Sequence, residues 1–238
     1  MASKKEILKK VLGELPLTAE VYWLLRQNGY SSPTSFSLKN IREVLPEAVK
    51  LTEKVRVKNK TGKKVLTFAS THYWLEHVVM TSLALSAQGH NVTLAYYPYG
   101  HWHADSTQFD IRRQNMYANS VLRPASSVIH FENMLRNNFS FTQLPEQLIK
   151  DVEQITSYDY MYAFQTEEVN REDPFYHFRY ERNLQTAKAM FNYLRKNQPD
   201  VAIIPNGTIL EFGVAFRVCR HHNIPTSTYE FSDKRGAM

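Results

Sequence analysis

Cysteine is almost missing from this 238-residue sequence, in which Cys219 is the single example. One thiol excludes an intrachain disulfide framework and any metal site built from several cysteines. Apolar runs of about 18 residues or more are also missing, and Met1 to Lys5 does not open the apolar segment of a secretory signal. We therefore expect a soluble protein in a reducing, cytoplasmic setting.

Glycine and proline are scarce, with eight and ten residues, and 43% of the chain is hydrophobic. These values exclude collagenous, low-complexity and wholly disordered chains, and they predict a folded core. The length has room for one large domain, or for one domain with a small appendage.

Glycine-rich phosphate motifs are missing as well. The loop after the first predicted strand reads Ser70-Thr71-His72-Tyr73, without G-x-G-x-x-G, and GxxxxGK[ST] occurs nowhere in the sequence. Because this turn is not built for the pyrophosphate of a dinucleotide, NAD-dependent chemistry is not expected.

The net charge of +6 comes from the first quarter of the chain. Residues 1–64 carry 14 basic and 6 acidic side chains, a net +8, whereas the remainder carries 15 and 17, a net −2. Nucleic-acid binding usually needs a basic face on the folded domain, so we expect no nucleic acid as partner. The basic segment is best interpreted as a solvated helical face, and it could instead contact a membrane surface or an acidic partner.

Hydrophobic periodicity changes at about residue 62. Before it, helical spacing predicts a small basic helical segment over residues 1–62, and after it strands and helices alternate over residues 63–238. A strand, a helix ending at Gly89 and a second strand follow in about 35 residues, which is the βαβ unit of a parallel sheet. The predicted helices are 4–12, 18–28, 37–54 and 74–88, and the predicted strands are 65–69 and 92–97.

The same pattern returns near the end of the chain. Asp173-Pro174 predicts the capped start of a long helix that Pro199 ends. The sequence thus predicts an α/β fold: a Rossmann-like parallel sheet with helices on both faces. The later elements are strands at 201–205 and 226–231 with a helix at 209–222 between them, and the middle of the chain offers a strand at 126–131 and helical sequence over 145–170.

In such a sheet, ligands bind beyond the carboxyl ends of the strands. The loops that follow the predicted strands are rich in aromatic and hydrogen-bonding side chains and poor in charge, which suits a flat, hydroxyl-rich ligand. Each aromatic could instead be ordinary surface packing, and the turn at residues 206–208 could bind an anion or be a plain turn. The candidate substrate-binding residues are Tyr73, Tyr99, His101, Trp102, His103, Asn206, Gly207, Thr208 and Glu230.

His101, His103 and Asp105 form an H-x-H-x-D pattern with metal-ligand spacing. This pattern resembles the motif of metallo-β-lactamases and leaves a metal-dependent hydrolase as an alternative function. In that motif a further histidine follows, where this chain has Ser106, and runs of antiparallel strands are not predicted. We therefore expect no metal site.

Two stretches carry a family resemblance. Both are similar to segments of the N-terminal Rossmann-like domain of GT-B glycosyltransferases. The first is Ala87-Gln88-Gly89-His90 before the strand at Val92, and the second is Pro199 to Gly207 followed by Asn223 to Thr226. Bacterial surface and capsular polysaccharide transferases are the nearest type. The resemblance covers roughly residues 63–100 and 174–232, and its short sequence motifs are shared by many α/β domains.

The resemblance implies an acceptor-side domain, with a carbohydrate acceptor as partner and the nucleotide-sugar donor on a second domain that this chain does not include. No cofactor is then expected in this chain, which would be a fragment of a longer enzyme or completed by a partner. His72 matches the histidine general base of some inverting members, because it follows the first strand and imidazole accepts protons at neutral pH. Two alternatives stay open. His72 could have a packing role, and the chain could be a non-catalytic module that docks to a membrane or partner through residues 4–64.

Overall fold

A computed structural model describes residues 4–26, 32, 36–57, 62–137 and 141–230. Within these residues the chain forms eight α-helices and five β-strands, with short 3-10 turns at 123–127 and 134–137. The helices are α1 (Lys4–Glu14), α2 (Thr18–Arg26), α3 (Lys39–Val55), α4 (His72–Ala87), α5 (Gln108–Leu122), α6 (Glu146–Phe164), α7 (Pro174–Lys196) and α8 (Leu210–His221), and the strands are β1 (Lys64–Ser70), β2 (Asn91–Tyr97), β3 (Ile129–Asn133), β4 (Val201–Pro205) and β5 (Thr226–Tyr229).

The strands form one sheet in the order β3-β2-β1-β4-β5, and every pairing is parallel. The chain builds outward from β1 to β3, then returns to the other side of β1 for β4 and β5. The strand order therefore reverses between β1 and β4, which is the switch point where such sheets bind ligands. The predicted parallel α/β fold is confirmed.

Hydrophobic side chains project from both faces of the sheet because alternate residues of a buried strand point in opposite directions. Leu66 and Phe68 of β1 lie in one core cluster with α6, α7 and α8. Ala69 of β1 and Leu94 of β2 lie in the other, which α3, α4 and α5 cover. Helices thus cover both faces, as the alternation of strands and helices predicts.

The predicted basic segment contributes to the second cluster. Phe36, Leu38, Ile41 and Leu45 are buried there against side chains of α4 and α5. Trp23 of α2 belongs to the same cluster, so α2 and α3 share a core with the sheet. The domain boundary at 62/63 stays a prediction.

The sequence analysis missed α5. Thr107 caps this helix: its Oγ1 lies 3.2 Å from the Asp110 amide nitrogen, which donates to it, and 2.9 Å from Asp110 Oδ2. Thr107 and Asp110 are three residues apart, the spacing of a capping box, and this was the signal in the sequence. The helix was not predicted because glutamine and asparagine residues interrupt its apolar positions.

Several boundaries moved. The strand expected at 126–131 lies at Ile129–Asn133, because residues 123–127 form a 3-10 turn. The helix expected over 145–170 ends at Phe164, where Gln165 adopts a left-handed conformation with φ 52°. The strand expected at 226–231 ends at Tyr229, and residue 231 lies outside the described residues.

None of the helices in the described part of the chain is both long enough and apolar enough to cross a membrane.

Candidate functional site

The turn from β1 into α4 is strained. Thr71 has φ 72° and ψ 157°, a backbone region adopted almost only by glycine. Ser70, the last residue of β1, is buried and its Oγ donates to Glu211 Oε2 at 2.9 Å. Strain of this kind typically costs about 1–3 kcal/mol and clusters at ligand sites, so the turn is a candidate site at the switch point.

His72 is the first residue of α4 and is half-buried. Its ring lies edge-on to Phe36 and Tyr73, with centroid distances of 6.3 and 5.4 Å. Among the described residues, no hydrogen-bond partner reaches His72 Nδ1 or Thr71 Oγ1, although both atoms are buried. The nearest carboxylate along α4, Glu76, accepts instead from the backbone and side-chain nitrogens of Asn40.

The loop after β2 begins with two buried tyrosines. Tyr97 and Tyr99 stack with a centroid distance of 4.9 Å and an interplanar angle of 8°. The guanidinium carbon of Arg182 lies 3.5 Å from the centre of the Tyr99 ring. Because Tyr99 is only 5% exposed and its ring contacts Tyr97 and Arg182, it is a poor stacking surface for a ligand.

Two exposed histidines follow in the same loop. His101 and His103 have ring centroids 5.2 Å apart. Burial lowers the pKa of His101 below its usual range, and the neighbouring His103, His72 and Arg182 lower it further. The lowered pKa favours the neutral imidazole of His101, which is the form that accepts a proton.

The structure does not support a metal site here. Among the described residues, no group of three or more histidine, cysteine, aspartate or glutamate side chains is arranged to hold a metal ion. Asp105, the third member of the H-x-H-x-D pattern, accepts instead from the Ser106 amide at 2.8 Å. In the described residues, the H-x-H-x-D pattern therefore does not form a metal-binding group.

A buried ionic cluster lies beneath these loops. Its members are Asp159 of α6, Arg179 and Arg182 of α7, and Glu211 of α8, and each is at most 6% exposed. Arg179 Nε lies 2.9 Å from Asp159 Oδ2, and Arg179 Nη1 lies 3.0 Å from Glu211 Oε1. Arg182 Nε lies 2.7 Å from the same Glu211 oxygen. The two positive and two negative charges balance, as buried charges require.

Arginines at the spacing of Arg179 and Arg182 are usually solvated charges on a helix surface, but here both are buried. Arg179 is completely buried, and with Arg182 and Asn183 it occupies spacings that place all three on one side of α7. This i, i+3, i+4 set of polar residues was the signal, but arginines at helical spacing are common on exposed faces.

The cluster holds the loop after β2 in place. Arg179 Nη1 donates to the Trp102 carbonyl at 3.0 Å, and Arg182 Nη1 donates to the His101 carbonyl at 2.8 Å. The Trp102 ring packs against Tyr162 and Phe175. Trp102, predicted to bind substrate, thus has an anchoring role that positions the two histidines beside it.

Glu211 makes the cluster sensitive to acid. Burial alone would raise the pKa of Glu211, but the charges of Arg179 and Arg182 lower it from 4.5 to about 2. A carboxyl whose pKa is lower in the folded state stabilises the fold above pH 4.5, and this stabilisation is lost as the pH falls toward 2. Each pKa unit corresponds to about 1.4 kcal/mol, so the full contribution is about 3 kcal/mol.

We therefore expect Glu211→Gln to lower the free energy of unfolding most above pH 4.5. The deficit relative to wild type should shrink to near zero by about pH 2, as measured by urea denaturation across that range. Glu146→Gln is the control, because the Glu146 side chain is 81% exposed and pairs only with Lys150 at the surface. A deficit for Glu211→Gln that does not change with pH would contradict this assignment.

The turn at residues 206–208 is closed by its own side chain. Asn206 Oδ1 accepts from the amides of Thr208 at 2.7 Å and Ile209 at 3.2 Å. The Leu210 amide donates to Asp159 Oδ1 at 2.6 Å. A Cβ on Gly207 would lie 2.6 Å from Thr228 Cγ2, so the turn packs tightly on β5. Of the two interpretations left open, the plain turn fits, because these amides already have acceptors.

Two other candidates lie at the surface. Tyr73 is 43% exposed at the start of α4, beside His72. Glu230 is exposed after β5, at the end of the described residues. The structure therefore brings His72, Tyr73, His101 and His103 to the carboxyl edge near the switch point and gives Glu230 no visible role.

A cavity of about 990 Å³ adjoins the loop after β2. It lies between that loop, α1, the start of α5 and the first three turns of α7. Its polar lining includes His103, Asp105 and Gln185, and its apolar lining includes Phe175 and Phe178. A second cavity, of about 490 Å³, lies at the opposite edge of the sheet beside Lys64, Asn91 and Pro199. In parallel sheets the carboxyl edge is the usual ligand edge, which favours the larger cavity.

Comparisons with known proteins add little to this geometry. No protein-family model matches the chain, and no curated protein matches it. Among solved structures it is similar to a CDPS, a cyclodipeptide synthase, from Fluoribacter dumoffii, with 8% identity and a TM-score of 0.43. That alignment covers 76% of this chain and 92% of the other. A likeness at this level carries no information about function.

Proposed function

We propose that this chain is the acceptor-side domain of a glycosyltransferase, which receives a carbohydrate acceptor while a second domain presents a nucleotide-sugar donor. The observation that carries the proposal is the shared edge: the large cavity, the two loop histidines and His72 all lie where the strands end. Of these histidines His103 lines the cavity, so an acceptor bound there would have to extend along the edge of the sheet to reach His72 or His101.

The chemistry of the cavity supports a hydroxyl-rich ligand. Sugar hydroxyls both donate and accept hydrogen bonds, so they need partners of both kinds. Asp105 and Glu181 supply acceptors, while Gln185 supplies a donor and an acceptor. Phe175 and Phe178 are half-buried and form part of the apolar lining, against which the apolar side of a sugar ring could pack.

Sugar transfer needs a base for the acceptor hydroxyl. In the proposed step the hydroxyl oxygen forms a bond to the anomeric carbon, the bond from that carbon to the nucleoside diphosphate breaks, and the hydroxyl proton passes to an imidazole. His72 is the candidate from the sequence, and it lies at the strained turn. His101 is close enough to interact with it electrostatically, and its lowered pKa favours the neutral imidazole.

A glycan array with the purified chain tests acceptor binding. We expect binding to a subset of bacterial-type oligosaccharides, and a loss of about tenfold or more in affinity for Phe178→Ala and for Gln185→Ala. Phe141→Ala is the matched control, because Phe141 is 82% exposed and lies outside this cavity. If every glycan fails to bind the folded chain, or if both cavity variants bind like wild type, the proposed function is wrong.

A further inference from the structure

Helix α1 shows an inverted amphipathic pattern. Its inner side contacts α5 through a polar and a small residue: Lys9 Nζ lies 2.8 Å from Asp110 Oδ2, and a Cβ on Gly13 would lie 2.8 Å from the Phe109 nitrogen. Ile7, Leu8 and Val11 are 54%, 58% and 57% exposed, and Val11 also borders the large cavity described above. At about 100° per residue these three fall within an arc of about 100°, opposite Lys9.

Helix α2 also has exposed aliphatic side chains, although its buried side is apolar. Ala19 and Trp23, four residues apart, are its buried side. Val21, Leu24 and Leu25 are 48%, 52% and 75% exposed. Both helices contact α5 and each other, so their outward side chains extend one surface. We call this surface, formed by residues 7–25 of α1 and α2, the hairpin face.

Exposed apolar side chains at this density indicate a contact surface. Soluble monomers expose such residues singly, whereas contiguous patches mark protein or membrane contacts. An isolated outward leucine needs no explanation, but two consecutive helices that each expose three aliphatic side chains do.

We propose that the hairpin face lies on a membrane surface that contains anionic lipid, with α1 and α2 parallel to the membrane plane. Charge complementarity supports this occupant. Residues 4–26, which contain α1 and α2, carry five basic and three acidic side chains, a net charge of +2, and within this set Lys9 pairs with Asp110 and Glu20 with Arg112. Lys10 of α1 and Arg26 at the end of α2 are exposed. Interfacial helices combine an aliphatic side with flanking cations in this way.

The composition of the hairpin face favours lipid over a protein partner. The centres of protein interfaces are enriched in aromatic residues, methionine and arginine and depleted in lysine. Apart from Tyr22, the exposed apolar side chains here are leucine, isoleucine and valine, and Lys10 is exposed beside them. The contact would be peripheral, since none of the described helices can span a bilayer.

Co-sedimentation with vesicles tests this surface. The probe is phosphatidylcholine vesicles with roughly one phosphatidylglycerol in four lipids, against phosphatidylcholine alone. We expect the chain to bind the anionic vesicles and to be released by added salt. Leu8→Glu/Leu25→Glu should lower the partition coefficient by about tenfold or more, and Arg26→Gln by about fivefold.

Phe141→Glu is the control for adding a negative charge at an exposed apolar position outside the hairpin face, and it should bind like wild type. Circular dichroism and a thermal melt confirm that each variant is folded. Two results would overturn the proposal: wild type that stays in the supernatant with anionic vesicles, or a wild-type dimer in light scattering that Leu8→Glu/Leu25→Glu converts to monomer. The second result would assign the hairpin face to self-association.

Discussion

Arg179→Met is expected to lower the free energy of unfolding by about 3–5 kcal/mol, because it leaves Asp159 and Glu211 buried without the guanidinium that pairs with both. For a chain of this length, that loss corresponds to a decrease in melting temperature on the order of 10 °C or more. The variant also removes the donor to the Trp102 carbonyl, so the loop that carries His101 and His103 should loosen.

Arg217→Met is the control for this prediction. The Arg217 side chain is 37% exposed and lies 3.9 Å from Asp151, so its loss should cost less than about 1 kcal/mol. Calorimetry of both variants gives the comparison, and hydrogen exchange reports the loop at residues 99–106. Equal melting temperatures for Arg179→Met and Arg217→Met would contradict the structural role of the cluster.

His72→Ala is the second large effect. If His72 removes the proton from the acceptor hydroxyl, its loss should lower kcat by about 10²- to 10⁴-fold in the polypeptide that carries transfer activity. The KM for the acceptor should change little, because the imidazole acts mainly in the transition state. His72→Gln, which keeps polarity and much of the volume beside Phe36, should be nearly as inactive.

His130→Ala is the matched control. His130 is on β3, its side chain is 68% exposed, and it lies beside the cavity at the amino edge of the sheet. Initial rates of nucleoside diphosphate release measure all three variants. Full activity in a folded His72→Ala variant would remove His72 from the mechanism, and His101→Ala would then be the variant to test, since the pKa of His101 is lowered and its loop lies at the same edge of the sheet.

The fold was predictable because its signals are local. Val65 to Ala69 and Val201 to Pro205 are short apolar runs that read as strands buried on both faces. Gly89 and Asp173 marked helix ends through backbone chemistry that depends only on adjacent residues. Helix α5 was not predicted because glutamine and asparagine residues interrupt the apolar positions along it. The capping box that begins at Thr107 was the signal for this helix.

The candidate site was only partly predictable. The ends of the predicted strands placed the loops of His72 and His101 at the same edge of the sheet, since all parallel strands end at one edge. The cluster of Arg179 and Glu211 was hidden, because pairing across 32 residues depends on how α7 and α8 pack. For the same reason the sequence offered Asn206 as an anion site, although packing against β5 closes that turn.

The location of a bound glycan tests the central claim most directly. Hydrogen exchange of the chain with and without its best array ligand should show new protection in residues 99–111 and 174–185, which line the cavity at the carboxyl edge. Protection confined to residues 126–130 and 196–199, which line the cavity at the amino edge, would contradict the account.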